Sequence, residues 1–376
     1  MKSTLESLER LRALGKKRLE ELSAVASEGV PVVGFFDIFT SPELLLSIGA
    51  VPVGLRLGGV YEAEREGERL LKTDGCPFCK SAIGYRYLED PLYSSVTHII
   101  SATTCDQKRR MAELWNTHFH VPVYVYNIPK RWNCENSRQL FMRETEWIRS
   151  EMESLTGTSL RMRDLEAIIR KYNQARRMLK QLDQLQRTRE PKLTCTEMAE
   201  IVHHFAFLDI DVYTGILATI ISEVNSRSPV AAQNSMRIAL GGSILAHGDY
   251  AIINLLEKRG AHVVGDYIYN LFGAYCDEVE ESGDPWANLC ESYRLRSMSA
   301  IYRPIERYYN CVKGRIEELR ADAVVYKTLK FCDIYSAETM RMKKEIGLPF
   351  LRIDSTYSIG EMGQIETRIE AFLEML

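Results

Sequence analysis

Nine cysteines are the residues of this sequence whose type could do chemistry. The chain has 376 residues, and its cysteines stand at positions 76, 79, 105, 134, 195, 276, 290, 311 and 332. Their odd number and wide scatter argue against a disulfide framework, and a chain of this length does not need one to fold. Core packing, metal ligation and catalysis are the remaining roles.

Cys76 and Cys79 form a CxxC pair within TDGCPFCKSAIGYRY, where Gly75 and Pro77 shape the turn. Such a pair is either a redox dithiol or a pair of metal ligands. A thioredoxin-like dithiol should directly follow an early strand of a small βαβ unit, whereas two predicted strands and a charged stretch precede this pair. The sequence therefore favours metal ligation.

Cys105 and Cys332 occupy equivalent places in the two halves of the chain. Cys105 follows an apolar strand that ends near Ile100, and a helix begins near Asp106. Cys332 follows the buried strand of ADAVVYKTLKFCD and also precedes a helix. The carboxyl edge of an open α/β sheet is its ligand crevice, and a nearby helix N-terminus favours a thiolate. The repeated placement predicts a shared role for the two thiols.

The other cysteines give weaker signals. Cys134, in KRWNCENS after the fourth predicted strand, is as well explained as a loop residue as a ligand. Cys311, in RYYNCVKGRIEEL, lies on a predicted helix and is equally consistent with the core. Three further cysteines are interpreted as buried small hydrophobic residues: Cys195, Cys276 and Cys290.

The metal type follows from how the possible ligands are distributed. A structural zinc site usually needs a second closely spaced pair, and the sequence has no second CxxC. The pairs His118/His120 and His203/His204 are expected in surface or core positions. Soft ligands drawn from distant parts of the chain suit an iron–sulfur cluster, although ligand type alone also permits zinc.

Alternating apolar runs and amphipathic stretches position these cysteines. This alternation predicts an α/β protein with two doubly wound parallel-sheet lobes joined by a helical segment. The predicted strands are Val32–Phe36, Val51–Leu55, Val96–Ile100 and Val123–Tyr126 in the first half, and Ile238–Gly241, His262–Asp266, Ala323–Tyr326 and Phe350–Ile353 in the second.

Three units are predicted along the chain. They are an N-terminal α/β lobe with a leading helix (1–135), a helical segment (136–235) and a C-terminal α/β lobe (236–376). Within the helical segment, Leu160 to Arg189 has the apolar spacing of one long surface or bridging helix. A cleft between two lobes is a common ligand site.

Two local motifs are interpreted structurally. Ser41-Pro42-Glu43 is typical of a helix start, which accounts for the acid in the first turn. The stretch LGGSILAHGDY (240–250) predicts a tight glycine turn, with anion binding as a lesser alternative. The sequence shows no P-loop, dinucleotide fingerprint or nucleophile elbow.

Composition excludes several classes of protein. Lys and Arg number 48 against 51 Asp and Glu, a net charge of -3 that does not suit nucleic-acid binding. No apolar run approaches the ~20 residues of a membrane helix, and the N-terminus lacks the apolar core of a signal peptide. We therefore expect a cytoplasmic protein without a membrane.

Several motifs together resemble the 2-hydroxyacyl-CoA dehydratase and benzoyl-CoA reductase family of iron–sulfur proteins. The resemblance runs from about Pro31 to the end of the chain and rests on SPELLLSIGAVPVGL, CPFCKSAIGY, TTCDQKRR, GGSILAHGDY, GAHVVGDY, LKFCD and GQIETRIEAFLEML. It implies α/β lobes with a low-potential cluster between them, and a separate ATP-hydrolysing iron–sulfur activator as electron donor. The family's ligands for a single 4Fe-4S cubane match Cys76, Cys105 and Cys332.

The chain departs from that pattern by also offering Cys79, Cys134 and Cys311. Six cysteines resemble the double-cubane branch, in which an 8Fe-9S cluster takes three cysteines per cubane. The resemblance then implies an oxygen-sensitive, homodimeric reductase of a small molecule, with catalytic side chains unidentified.

Three alternatives remain from the sequence. The first is a 2-hydroxyacyl-CoA dehydratase subunit with one 4Fe-4S cluster, a dissimilar second subunit and a CoA thioester substrate. The second is a non-catalytic electron carrier or a cluster maturation protein. The third is a structural zinc protein.

Overall fold

The computed structural model describes residues 5–376 and contains two sheets of four parallel strands each. The first sheet has the order β2-β1-β3-β4 and the second has the order β6-β5-β7-β8. Their strands are β1 (Val32–Phe35), β2 (Val51–Gly54), β3 (His98–Ala102), β4 (Val123–Tyr126), β5 (Arg237–Gly242), β6 (His262–Asp266), β7 (Ala323–Leu329) and β8 (Phe350–Ser355). The predicted α/β class with two doubly wound lobes is confirmed.

The helices cover both sheets and fill the segment between them. The first lobe contains α1 (Glu6–Ser27), α2 (Pro42–Ser47), α3 (Tyr61–Gly67), α4 (Pro77–Tyr87), α5 (Pro91–Ser94) and α6 (Asp106–Phe119). The connecting segment contains α7 (Glu135–Thr156), α8 (Met162–Gln186), α9 (Cys195–His204) and α10 (Ile210–Ser226). The second lobe contains α11 (Ala251–Lys258), α12 (Phe272–Tyr275), α13 (Pro285–Arg294), α14 (Glu306–Leu319), α15 (Asp333–Ala337), α16 (Thr339–Ile346), a 3-10 turn (Ile359–Glu361) and α17 (Met362–Glu374).

The eight strands lie where the apolar runs predict them, with ends displaced by a few residues at most. Every residue of β1, β6 and β7 is buried, as expected for parallel strands with helices on both faces. Strand β7 extends three residues beyond the prediction because Lys327 and Thr328 continue it as buried polar residues. The division of the chain at residues 135 and 235 stays a prediction.

The two sheets have the same strand order, so each has a point where successive strands depart in opposite directions. In the first sheet this point lies between β1 and β3, and in the second between β5 and β7. The carboxyl ends of the strands at such a switch point form the usual ligand crevice of this architecture.

Helix α8 connects the two lobes. Its Arg176 pairs with Glu43 of α2 at 2.5 Å, and its Asp183 pairs with Arg315 of α14. Gln186 donates a hydrogen bond of 2.9 Å to the carbonyl of Val263 in β6. The predicted long helix is therefore present, and it is a bridging helix.

The start of α2 has the predicted cap, because the Ser41 hydroxyl accepts a hydrogen bond of 3.1 Å from the Leu44 amide. Glu43 does more than favour the helix dipole. Its carboxylate is fully buried and accepts hydrogen bonds from Arg176 and, at 2.6 Å, from the Tyr293 hydroxyl. The acid is thus part of a buried ion pair between the first lobe and α8.

The glycine turn after β5 contacts the first lobe. Gly59 has a φ of +75°, and a Cβ added there would lie 2.6 Å from the backbone of Gly248. Gly242 has a φ of +125°, and a Cβ there would lie 1.7 Å from the Lys327 carbonyl. Glycine at these positions lets the turn approach the first lobe at one end and β7 at the other. Within residues 5–376, no helix is long and apolar enough to cross a membrane.

Candidate functional site

A cavity of about 610 Å³ lies between the two lobes at the carboxyl ends of both sheets. Its wall includes residues 37–39 after β1, residues 103–109 after β3, Tyr269 after β6 and residues 331–335 after β7. The predicted cleft therefore occurs at the switch points of the two sheets, which is where this architecture places ligands.

Four cysteines line this cavity, and they come from three separate parts of the chain: Cys76, Cys79, Cys105 and Cys332. Three of them are helix N-caps, of α4, α6 and α15, and Cys79 lies in the first turn of α4. The Lys108 amide donates a hydrogen bond of 3.5 Å to the sulfur of Cys105. Helix N-termini favour thiolates through their free amides and their dipole, so the backbone prepares these side chains for metal ligation.

The CxxC pair owes its position to a close crossing of α3 and α4. A Cβ added at Gly67 of α3 would lie 1.9 Å from the Lys80 carbonyl of α4. A Cβ added at Gly84 of α4 would lie 1.7 Å from the Ala63 carbonyl of α3. Glycine at both points allows the two backbones to touch. Lys80 reinforces the crossing with ion pairs of 2.9 Å to Glu64 and Glu68.

The thiols of the cavity differ in acidity. A hydrogen bond from the Cys79 thiol lowers the pKa of Cys76 to about 7, whereas that hydrogen bond and burial hold the pKa of Cys79 well above its ordinary value. Burial raises the pKa of Cys105, and it raises the pKa of Cys332 to about 12. In the metal-free protein, Cys76 is thus the thiolate available near neutral pH.

Lys108 places a buried positive charge beside these thiols. Its side chain lines the cavity, and its ammonium donates a hydrogen bond of 3.0 Å to the Phe36 carbonyl. The ammonium also lies 5.3 Å from the centre of the Tyr269 ring. Burial opposes the charge, but Tyr269, Cys105 and Asp37 together raise the pKa of Lys108 above its ordinary value. Sequence reasoning missed this residue, although Lys108 lies three positions after Cys105, at helical spacing.

Asp37 fixes the loop after β1 that forms one wall of the cavity. Its carboxylate accepts hydrogen bonds from the amides of Phe39 (2.8 Å), Thr40 (2.9 Å) and Ala102 (3.1 Å). The loop and the end of β3 are therefore joined through one buried side chain. A carboxylate held by several amides is a structural support here rather than a free acid.

Cys134 and Cys311 lie outside the lining of the cavity. Cys134 caps the N-terminus of α7, and its sulfur lies 3.1 Å from the Ser137 hydroxyl, whose hydrogen bond lowers the pKa of the thiol. Cys311 lies on α14, where it packs against a hydrophobic cluster of the second lobe. The structure thus brings together four of the six cysteines that the sequence singles out.

The other cysteines and the histidine pairs lie as expected. Cys195 and Cys290 are buried, and Cys276 is half-buried against the core of the second lobe. His118 and His120 are exposed at the end of α6, whereas His203 and His204 are buried in α9. None of these residues lines the cavity.

The donor set of the cavity fits a cluster better than a single ion. Among residues 5–376, no three Cys, His, Asp or Glu side chains converge where one metal ion could bind. The four thiols instead surround a space of about 610 Å³. Soft thiolates around so large a space are the ligands that iron–sulfur clusters use.

Comparisons with known proteins agree with this architecture. The family model described as 2-hydroxyglutaryl-CoA dehydratase, D-component, matches residues 37–376. The putative dehydratase subunit YjiM of Escherichia coli (strain K12) is 27% identical over 93% of this chain and 92% of its own length. The (R)-phenyllactyl-CoA dehydratase beta subunit of Clostridium sporogenes is 22% identical over 93% and 92%. A benzoyl-CoA reductase subunit of Thauera aromatica is 20% identical over 92% and 90%.

Proposed function

Because the chain belongs to the 2-hydroxyglutaryl-CoA dehydratase D-component family, we propose that it is an iron–sulfur enzyme that reduces a small substrate in the interlobe cavity. The observation that supports this most directly is the convergence of four cysteines on one cavity beside the buried Lys108. When bound, the cluster supplies low-potential one-electron transfer. An ATP-hydrolysing iron–sulfur protein is the proposed electron donor, as the resemblance implies.

In this proposal the protein's own residues hold the cluster and its surroundings. Cys76, Cys79, Cys105 and Cys332 are the ligands from the cavity, and Cys134 and Cys311 complete a double-cubane set. Lys108 compensates part of the negative charge of the thiolates, which a buried site would otherwise disfavour. Phe39 and Phe78 line the same cavity and reduce the access of water to it.

Cys79 favours the double-cubane form. The single-cubane ligand set of the family matches only Cys76, Cys105 and Cys332, so Cys79 is a fourth thiol in a cavity where three would suffice. Its sulfur is hydrogen-bonded to that of Cys76, and its side chain is 1% exposed. A fourth cavity thiol is expected where a cluster larger than one cubane is bound.

The second candidate is a dehydratase subunit with a single 4Fe-4S cluster. It is favoured by the position of Cys134 and Cys311 outside the cavity and by the dehydratase names of two of the relatives. It requires a dissimilar second subunit and a CoA thioester, whereas the reductase is proposed to be a homodimer. Light scattering on the purified protein and binding of an acyl-CoA test these differences.

The cluster is tested by measuring iron and acid-labile sulfide in anaerobically purified protein. About eight irons per chain support the double cubane and about four support the single cubane, because each cubane contains four. The variants Cys79→Ser, Cys134→Ser and Cys311→Ser should each lower the iron content of a double-cubane protein. Cys276→Ser is the matched control, since Cys276 is half-buried and lies outside the cavity.

Two results would contradict the proposal. Unchanged iron in all three variants would exclude the six-ligand form. A protein without iron after anaerobic purification and reconstitution would exclude both candidates.

A further inference from the structure

We propose that a second, smaller cavity binds a monovalent anion of the size of chloride. This cavity has a volume of about 30 Å³ and is lined by three arginines, Arg56, Arg176 and Arg296. All three are buried, with exposures of 8%, 1% and 3%. The volume exceeds the ~10–15 Å³ that one water-sized particle needs and is too small for phosphate or an organic acid.

The arginines come from three parts of the fold. Arg56 follows β2 in the first lobe, Arg176 lies on the bridging helix α8, and Arg296 follows α13 of the second lobe. A ligand held by all three would therefore connect both lobes and the helix between them. Ile38 lines this small cavity and the thiol cavity, so the two spaces lie on opposite sides of the loop after β1.

The positive charges around the small cavity exceed the negative ones. Arg176 is neutralised by Glu43 at 2.5 Å. Within residues 5–376, neither Arg56 nor Arg296 forms an ion pair with a carboxylate; Arg56 donates to the Asn270 carbonyl at 3.4 Å. Arg296 donates to the Ile38 carbonyl at 3.0 Å. Burying a guanidinium without a counter-charge is costly.

The nearest carboxylates are committed elsewhere. Asp37 acts on Arg56 electrostatically, but both of its oxygens accept hydrogen bonds from backbone amides. Asp277 accepts hydrogen bonds from the amide and hydroxyl of Ser297. With Glu43 and Asp37 both counted against the three arginines, one positive charge is left, and one monovalent anion would balance it.

Free hydrogen-bond donors provide a second, independent reason. The Nε atom of Arg176 is buried and has no hydrogen-bond partner. Arg56 uses one of its five N–H groups, in the long bond to Asn270. A water molecule could accept these hydrogen bonds, but it would not balance the charge. An anion does both, which is why the geometry favours it over water.

The test compares thermal unfolding of the holoprotein in chloride and in gluconate at equal ionic strength. Chloride should raise the unfolding midpoint by a few degrees in a saturable manner, because it binds the folded state. Gluconate is too large for the cavity and should not. Arg56→Gln should abolish the chloride response. Arg237→Gln is the matched control, because the donors of Arg237 are bound by the carbonyls of Arg187, Leu319 and Arg320.

Equal responses to the two anions, or a chloride response that persists in Arg56→Gln, would overturn the proposal. If Arg56→Gln does not fold, bromide-soaked crystals of the unmodified protein provide the second measurement. An anomalous peak among the three guanidinium groups, together with the saturable chloride response, supports the site. A peak without that response identifies an adventitious ion only and overturns the proposal, as does the absence of a peak. None of these readouts depends on the cluster or on enzymatic activity.

Discussion

At the scale of single residues, Lys108 connects the charge of the cavity to its proposed redox chemistry. The ammonium is buried, hydrogen-bonded to the Phe36 carbonyl and adjacent to the ring of Tyr269. Accepting an electron adds negative charge to the cavity, and a nearby cation stabilises that state more strongly than it would in water.

We expect Lys108→Met to lower the reduction potential of the bound cluster. A shift on the order of 60 mV, which is tenfold in a one-electron equilibrium, is the expected size. Anaerobic redox titration followed by electron paramagnetic resonance measures it. Arg110→Gln is the control, because Arg110 lies on the same helix but is exposed and paired with Glu113. Equal potentials in Lys108→Met and in the unmodified protein would refute this role.

At the scale of elements, the crossing of α3 and α4 positions the CxxC pair. Gly84→Ala should destabilise the protein by about 1–3 kcal/mol, the usual cost of overpacking, because the added Cβ would meet the Ala63 carbonyl. Displacement of α4 should also lower the iron content. Gly314→Ala on α14 is the matched control, since a Cβ there meets nothing within 4 Å, and helix propensity should make it neutral or stabilising. Urea unfolding and iron analysis of both variants check this, and an unchanged Gly84→Ala protein would contradict it.

The contact between the glycine turn and α9 should make stability depend on pH. The ring of His247 stacks on His203 at 5.1 Å and meets His204 edge-on at 5.4 Å. Burial lowers the pKa of His247 from 6.5 to about 4, and it also lowers those of His203 and His204. Because the unfolded histidines bind protons more readily, this contribution is complete above pH 6.5 and is lost as the pH falls toward 4.

We therefore expect His247→Gln to lose less stability than the unmodified protein between pH 7 and pH 5. The difference should be on the order of 1 kcal/mol, measured by urea unfolding at both pH values. Burial raises the pKa of Asp266 to about 6, which acts in the opposite direction, but Asp266 is present in both proteins and cancels in the comparison. His118→Gln, at an exposed position, serves as the control. Identical pH dependence in His247→Gln would show that His247 is not responsible.

At the scale of the whole molecule, α8 makes the stability of one lobe depend on the other. Asp183→Asn leaves Arg315 buried without its partner carboxylate, so we expect a loss of about 3–5 kcal/mol. Far-ultraviolet circular dichroism and tryptophan fluorescence should report the same lowered urea midpoint. Arg177→Gln removes a more exposed ion pair of the same helix and should cost at most about 1 kcal/mol. A loss no larger in Asp183→Asn than in Arg177→Gln would contradict the bridging role.

The sequence predicted what depends on local pattern. Apolar runs located the eight strands, and the change from strand to helix placed Cys105 and Cys332 at the sheet edges. It could not separate Cys134 from Cys105, because both follow strands and cap helices. The difference is topological: β3 adjoins the switch point, whereas β4 is the outermost strand of its sheet.

Contacts between distant segments were also beyond reach from the sequence. The crossing at Gly84, the arginine-lined cavity and the partners of Glu43 each depend on residues far apart in the chain. Lys108 is the exception, because its spacing from Cys105 is a local signal. Its burial, however, is set by tertiary packing around Tyr269.

The position of Cys76, Cys105 and Cys332 at helix starts has a consequence for handling the protein in air. The amides that favour a thiolate equally favour sulfenate and sulfinate, the anionic products of thiol oxidation. Once sulfinate forms, ordinary reducing agents do not restore the thiol. Loss of cluster during aerobic storage should therefore become irreversible with time, and intact-mass spectrometry should show mass gains of two oxygen atoms in step with the loss of reconstitutable iron.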